Sequence, residues 1–187
     1  MPELARIKTK ICLVGEAAVG KTSLIRRFVQ DEFDDRYITT LGAKVLKREI
    51  VFAMPDPNEQ IQMDITVWDV MGEKGFRDLL KEAFFHGAKG VLAVADFTRY
   101  STLKELDDWI QGVFKVVGPI PVVYAINKVD LKDEVMILYG DKEIAEAAQI
   151  FDAPYFYTSA KTGENVEFLF RKIGSMVLQR EGIQVAT

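Results

Sequence analysis

Eight residues limit what this chain can fold into more than any others: Gly15-Glu16-Ala17-Ala18-Val19-Gly20-Lys21-Thr22. They follow an apolar run, Ile11-Cys12-Leu13-Val14, and precede a stretch carrying Leu24, Ile25 and Phe28 at helical spacing. The run reads as a central strand buried on both faces, and the spacing as the inner face of a helix. A glycine-bounded loop joining strand to helix exposes its own N–H groups and those of the new helix, which together form an anion-sized concavity. Lys21 adds a point charge that can reach the β- and γ-phosphates of a nucleotide, and the Thr22 hydroxyl can ligate magnesium. The bland alternative, a glycine turn with an exposed lysine, fits the strand–loop–helix context poorly.

The rest of the chain alternates short β-type runs with helical periods, which predicts a mostly parallel sheet covered by helices. Ala43 to Ala53 and Gln60 to Trp68 read as a hairpin. In its second arm Ile61, Met63, Ile65 and Val67 share one face and Gln62, Asp64 and Thr66 the other. Pro55 and Pro57 predict a protruding loop between the arms. Further strands are expected at Val91 to Asp96, Pro121 to Asn127 and Tyr155 to Ser159. One helix places Leu103, Leu106, Ile110, Val113 and Phe114 on a stripe, and the last does so with Val166, Leu169, Phe170, Ile173 and Val177. Asp141 is the expected cap of a helix through Ile144, Ala147 and Ala148. With no repeat or linker, residues 1–187 read as one domain.

Composition removes several function classes. A formal charge of −4 gives no basic footprint for nucleic acid or anionic lipid. The single histidine, His86, excludes a histidine-rich metal site, and the single cysteine, Cys12, excludes an internal disulfide. Cys12 reads as a buried strand residue, and a cytoplasmic setting is the expectation. No apolar run is long enough to span a bilayer.

A phosphate loop does not distinguish adenine from guanine. Asn127-Lys128-Val129-Asp130, at the end of an apolar strand, does. A carboxylate can accept two hydrogen bonds from the N1–H and exocyclic amino group of guanine, whereas adenine lacks that donor pair. Ser159-Ala160-Lys161 follows a later strand and strengthens the reading. The Ala160 N–H can donate to the guanine O6 while Ser159 braces Asp130.

These motifs, with Asp69-Val70-Met71-Gly72, occur in the order and approximate spacing of the Ras superfamily of small GTPases, which the whole chain resembles. The Rab branch is the most similar. Tyr37-Ile38-Thr39-Thr40-Leu41-Gly42, Trp68 before Asp69, Phe84-Phe85-His86-Gly87-Ala88 and Thr158 to Val166 carry that likeness. The resemblance implies an α/β fold of the P-loop NTPase type, a small G domain: a six-stranded, mostly parallel sheet with one antiparallel strand and helices on both faces. It implies GTP, GDP and Mg2+ as ligands and a switch that works in signalling or vesicle trafficking.

The resemblance also assigns roles. Thr40 would ligate magnesium when the γ-phosphate is present, together with Thr22 and, through water, Asp69. The Gly72 N–H would sense the γ-phosphate, and Lys21, Thr40, Gly72 and Glu73 would serve hydrolysis. Gly15, Ala17, Ala18, Val19, Gly20 and Ser23 would line the nucleotide with Lys21 and Thr22. Phe33 would lie against the guanine ring, the Lys128 stem would cover another face, and Tyr37 and Lys161 would complete the contacts. Val45, Trp68 and Phe84 occupy the positions of an apolar patch read by effectors, with exchange factors and GTPase-activating proteins as the other expected partners of the switch regions. The alternative is that all three pack against the first helix. A monomer is the family's default.

Three features depart from the pattern. Glu73 stands where the family has a glutamine that orients the attacking water; it keeps an acceptor, loses a donor and adds negative charge. Ala17 places a methyl group near the transferring phosphate where many relatives have glycine. The final residues, Glu181 to Thr187, contain no cysteine, so prenylation of this stretch is not expected. Pro2 likewise removes the N-myristoylation pattern. Either a lipidated tail has been removed or the protein works without an anchor, reaching membranes through partners. Slow, partner-dependent GTP hydrolysis is the leading expectation. A GTP-sensing module with little hydrolysis is its rival, and an ATP-dependent phosphotransferase is disfavoured by the guanine-reading motifs.

Overall fold

A computed structural model describes residues 5–34, 43–72, 75 and 82–186. Strand β1 (Ala5–Val14) leads through the phosphate loop into helix α1 (Lys21–Gln30). The hairpin of β2 (Ala43–Ala53) and β3 (Gln60–Val70) follows, then β4 (Gly90–Asp96). Helices α2 (Tyr100–Lys104) and α3 (Leu106–Val117) precede β5 (Val122–Asn127). A 3-10 turn at Val129–Leu131, α4 (Asp141–Gln149), β6 (Tyr155–Tyr157) and α5 (Val166–Arg180) complete the order.

The strands form one six-stranded sheet in the order β2-β3-β1-β4-β5-β6. Only the β2–β3 pair is antiparallel. The chain runs outward from β1 in both directions, to β3 on one side and to β4 on the other. Ligands of open α/β sheets bind beyond the carboxyl ends of the strands where the order reverses in this way. The phosphate loop leaves β1 at that point.

Alternation along each strand builds two cores. Ile11, Leu13, Leu92, Val94, Val123 and Ala125 face the first, with Leu24, Ile25 and Phe28 of α1 and Leu169, Phe170 and Ile173 of α5. Phe28 and Phe170 stack with ring centroids 3.8 Å apart, and burying each ring stabilises the fold by about 2–3 kcal/mol. Cys12, Val14, Val91, Ala93, Tyr124 and Ile126 face the second core, with Leu106, Trp109, Ile110 and Val113 of α3 and Ile144 of α4. Helices therefore cover both faces, as expected. Cys12 is fully buried, and burial pushes its thiol up to about 12.

Several local expectations are corrected. Strand β1 begins six residues before Ile11, because Ile7, Thr9 and Ile11 alternate with Arg6, Lys8 and Lys10 on a sheet with one covered face. The helical stripe from Leu103 to Phe114 is two helices, with Glu105 between them. Asp141 is the first helical residue of α4 rather than its cap. Gly140 caps it and donates its N–H to the Glu143 carboxylate at 2.9 Å. Asp141 instead accepts the Tyr157 hydroxyl at 2.7 Å.

Candidate nucleotide-binding site

The phosphate loop is held from outside so that its N–H groups can face inward. Gly15 and Gly20 have φ of 144° and 101°, and Ala18 sits in the left-handed region at 62°. A Cβ on Gly20 would lie 2.3 Å from the Asn127 amide nitrogen, so this position needs glycine for space as well as conformation. Three consecutive loop carbonyls are each bound from behind. Arg99 Nη2 donates to Ala17 O at 3.0 Å, Lys128 Nζ to Ala18 O at 2.6 Å, and Asn127 Nδ2 to Val19 O at 3.0 Å. Turning carbonyls outward in successive residues is what makes a nest of backbone donors.

Lys21 is buried and donates to Gly15 O at 2.8 Å and Glu16 O at 2.9 Å. Burial pulls its ammonium down to about 8, against the charges of Asp69 and Glu16 and with that of Arg99. Thr22 Oγ1 donates to Asp69 Oδ2, joining the start of α1 to the end of β3. Mg2+ takes one or two protein oxygen ligands together with phosphate oxygens and water. The Thr22–Asp69 oxygen pair, beside the Lys21 ammonium, is a donor set of that kind, so the residues fit the ion. When bound, the ion would neutralise charge on the β- and γ-phosphates.

Gly72 is buried against the loop: a Cβ there would lie 2.4 Å from Ala17 N and 2.5 Å from Glu16 C. This backbone contact brings the residue expected to sense the γ-phosphate to the loop that holds it. Ser23 follows Thr22 in the first turn of α1 and is half-buried. Tyr37, Thr40 and Glu73 lie outside the described residues. Phe33 is half-buried against the first core.

The residues expected to read the base are assembled at the ends of β5 and β6. Asn127 is buried, and its Oδ1 accepts Thr158 Oγ1 at 3.2 Å and the Ala160 N–H at 3.3 Å. Ser159 Oγ donates to Asp130 Oδ1 at 2.6 Å, the brace expected from sequence. Arg27 of α1 donates to Ala160 O at 2.8 Å and to Lys161 O at 2.7 Å, tying this loop to the helix that follows the phosphate loop. Lys161 is exposed.

Sequence reasoning missed Arg27 and three further contributors, Asp96, Arg99 and Trp109. Asp96, at the end of β4, is buried and receives Lys128 Nζ at 2.8 Å and Arg99 Nε at 3.0 Å. Burial alone would raise this carboxyl; hydrogen bonds from Lys128 and Thr98 and the Lys128 charge hold it below its usual range. Trp109 is fully buried in the second core and donates its Nε1–H to Glu16 Oε1 at 3.2 Å. The i, i+3, i+4, i+7 spacing of Leu106, Trp109, Ile110 and Val113 carried the signal for Trp109. For Asp96, the signal was a carboxylate ending an all-apolar strand.

A phosphate loop at the switch point, the Thr22–Asp69 oxygen pair and an Asp130 braced by Ser159 form the arrangement of a small G domain. The Ras family profile matches residues 10–179. Ras-related protein RABG3f of Arabidopsis thaliana is 32% identical over 96% of this chain and 86% of its own length. Ras-related protein Rab-7b of Bos taurus is 31% identical, over 94% and 84%. Ras-related protein SEC4 of Candida albicans is 30% identical, over 91% and 78%. The chain belongs to the Ras family, in its Rab branch, and is a small GTPase that acts as a nucleotide-dependent switch. Among the described residues no helix is long and apolar enough to cross a membrane.

Proposed function

We propose that this chain binds GTP and GDP with Mg2+ and hydrolyses GTP slowly, reaching a useful rate with a partner protein. The observation that carries the reading is Glu73 directly after Gly72, beside the retained Lys21, Thr22, Thr40 and Gly72. In the binding step, Asp130 accepts from the guanine edge while Ser159 holds it, and the loop N–H groups with Lys21 take the phosphates. Thr22, Asp69 and Thr40 hold the magnesium ion. At the terminal phosphate, Glu73 offers an acceptor to the attacking water but sets a negative charge where charge is already developing. The phosphate loop carries no arginine, and Arg36 of the first switch is the weaker alternative to a finger supplied by a partner.

Single-turnover hydrolysis of bound GTP with magnesium tests this. Glu73→Gln should raise the rate constant by about tenfold or more. Equal rates would remove Glu73 as the brake. Tight GTP binding with no turnover in either protein would favour a GTP-sensing module.

The partner surface is the patch of Val45, Trp68 and Phe84. Val45 is 41% exposed and directly opposite Trp68 across the β2–β3 ladder, while Trp68 and Phe84 are half-buried at the margin of the second core. Lys10 Nζ lies 3.7 Å above the Trp68 ring, so the indole has a cation on one side. A Trp68→Ala protein that keeps nucleotide affinity and full effector affinity would exclude it as the anchor. Acting in vesicle trafficking and reaching membranes through partners or a lipidated tail complete the proposal.

A further inference from the structure

Asp96 is saturated. Its Oδ1 accepts the Thr98 N–H at 2.9 Å and the Thr98 hydroxyl at 2.6 Å, and its Oδ2 accepts Lys128 and Arg99. Neutralising one buried carboxylate needs one cation, so a second cation there calls for another reason. Arg99 projects two N–H groups from one rigid plane: Nε binds Asp96 and Nη2 reaches Ala17 O. A Cβ on Gly72 would lie 2.4 Å from Ala17 N, 2.5 Å from Glu16 C and 2.8 Å from Ala17 Cα, so Gly72 faces the Glu16–Ala17 peptide. Lys128 and Asn127 hold the two carbonyls that follow, at Ala18 and Val19. Arg99 holds the Ala17 carbonyl on the Gly72 side of the loop, and Lys21 holds the Glu16 carbonyl just before it.

We propose that Arg99 is a positioning residue that, oriented by Asp96, fixes Ala17 and so the seat on which Gly72 settles against a terminal phosphate. The inference rests on the reading of this site as one for guanine nucleotides. Ala17 borders Gly72, so the effect should fall on triphosphate more than on diphosphate. Arg99 is 42% exposed at its side chain, so solvent screening limits the effect.

The experiment measures dissociation of fluorescent GDP and of a fluorescent, non-hydrolysable GTP analogue, with magnesium, from wild type, Arg99→Ala, Arg99→Lys and Lys104→Ala. Lys104, exposed and 4.5 Å from the Tyr100 ring, is a neighbouring cation that serves as control. Arg99→Ala should release the triphosphate analogue about three- to tenfold faster and change GDP release by less than about twofold. Arg99→Lys should recover the triphosphate rate only in part, because one ammonium lacks the fork that binds Asp96 and Ala17 together. Lys104→Ala should match wild type. Equal acceleration of both nucleotides with a lowered melting temperature would make Arg99 merely structural and overturn the proposal, as would unchanged rates. Wild type that bound neither nucleotide would overturn both this inference and the reading beneath it.

Discussion

At the base end of the site, Asp130 is already oriented by Ser159, and Asn127 ties Thr158, Ala160 and Val19 to one buried amide. At the terminal-phosphate end, Gly72 rests on Ala17 through backbone packing, and Thr22 meets Asp69 through one hydrogen bond. Among the described residues, the base end is thus a network of side-chain bonds between strand ends, while the terminal-phosphate end brings two loops into close backbone approach. A switch needs that asymmetry. The base must be recognised equally with two phosphates or three, and the response to the third must sit where few bonds have to change.

The largest effect should come from breaking the base end. Asp130 is only half-buried, so Asp130→Ala removes the proposed guanine acceptor without leaving a core cavity. Affinity for GDP and for a GTP analogue should fall together, by about a hundredfold or more, while the melting temperature barely moves. Competition with adenine nucleotides checks it: the preference for guanine should collapse. A retained preference would mean the base is read elsewhere.

Gly72→Ala should separate the two ends. The added Cβ would press on Ala17 N at 2.4 Å and Glu16 C at 2.5 Å, and both are backbone atoms with no flexible end to yield. Overpacking of this kind costs about 1–3 kcal/mol, so triphosphate affinity should drop about tenfold with GDP affinity nearly kept. Equal losses, read by titration with each nucleotide, would place the damage in the phosphate loop as a whole.

The same contrast explains what was legible in the amino-acid order. Gly15 to Thr22, Asn127 to Asp130 and Ser159 to Lys161 could be read because each uses local backbone geometry, where spacing and strand context carry the chemistry. The sheet was legible because Ile11 to Val14, Val91 to Asp96 and Val122 to Asn127 are apolar on both faces. The Asp96–Arg99–Ala17 chain was not legible. It joins residues 82 positions apart through one side-chain plane, and no period or spacing announces it. Neither was the break at Glu105, where no glycine or proline interrupts the helical pattern. The cap of α4 was misplaced because Gly140 takes the capping position ahead of Asp141, whose carboxylate is engaged by Tyr157.

The smallest expected effect concerns the seam between the two ends, where Asp96 meets Lys128 of the base-reading motif and Arg99 behind Ala17. The folded Asp96 carboxyl ionises below its ordinary value of 3.8, because the bonds from Lys128 and Thr98 outweigh burial. A carboxyl depressed in the folded state stabilises fully above its unfolded value, and that contribution is lost as pH falls through the folded one. Asp96→Asn keeps the shape and an acceptor but removes the charge, so it should cost about 1.5 kcal/mol at neutral pH. Below pH 3.8 the gap should begin to narrow, and it should close as pH falls through the lower folded value, where wild type loses the same interaction by protonation. Melting curves of both proteins from pH 7 to about pH 3 decide the matter. Curves that stay parallel into acid would mean the carboxylate charge does not join the two ends. The cations on it would then be held to the loop by their carbonyl bonds alone.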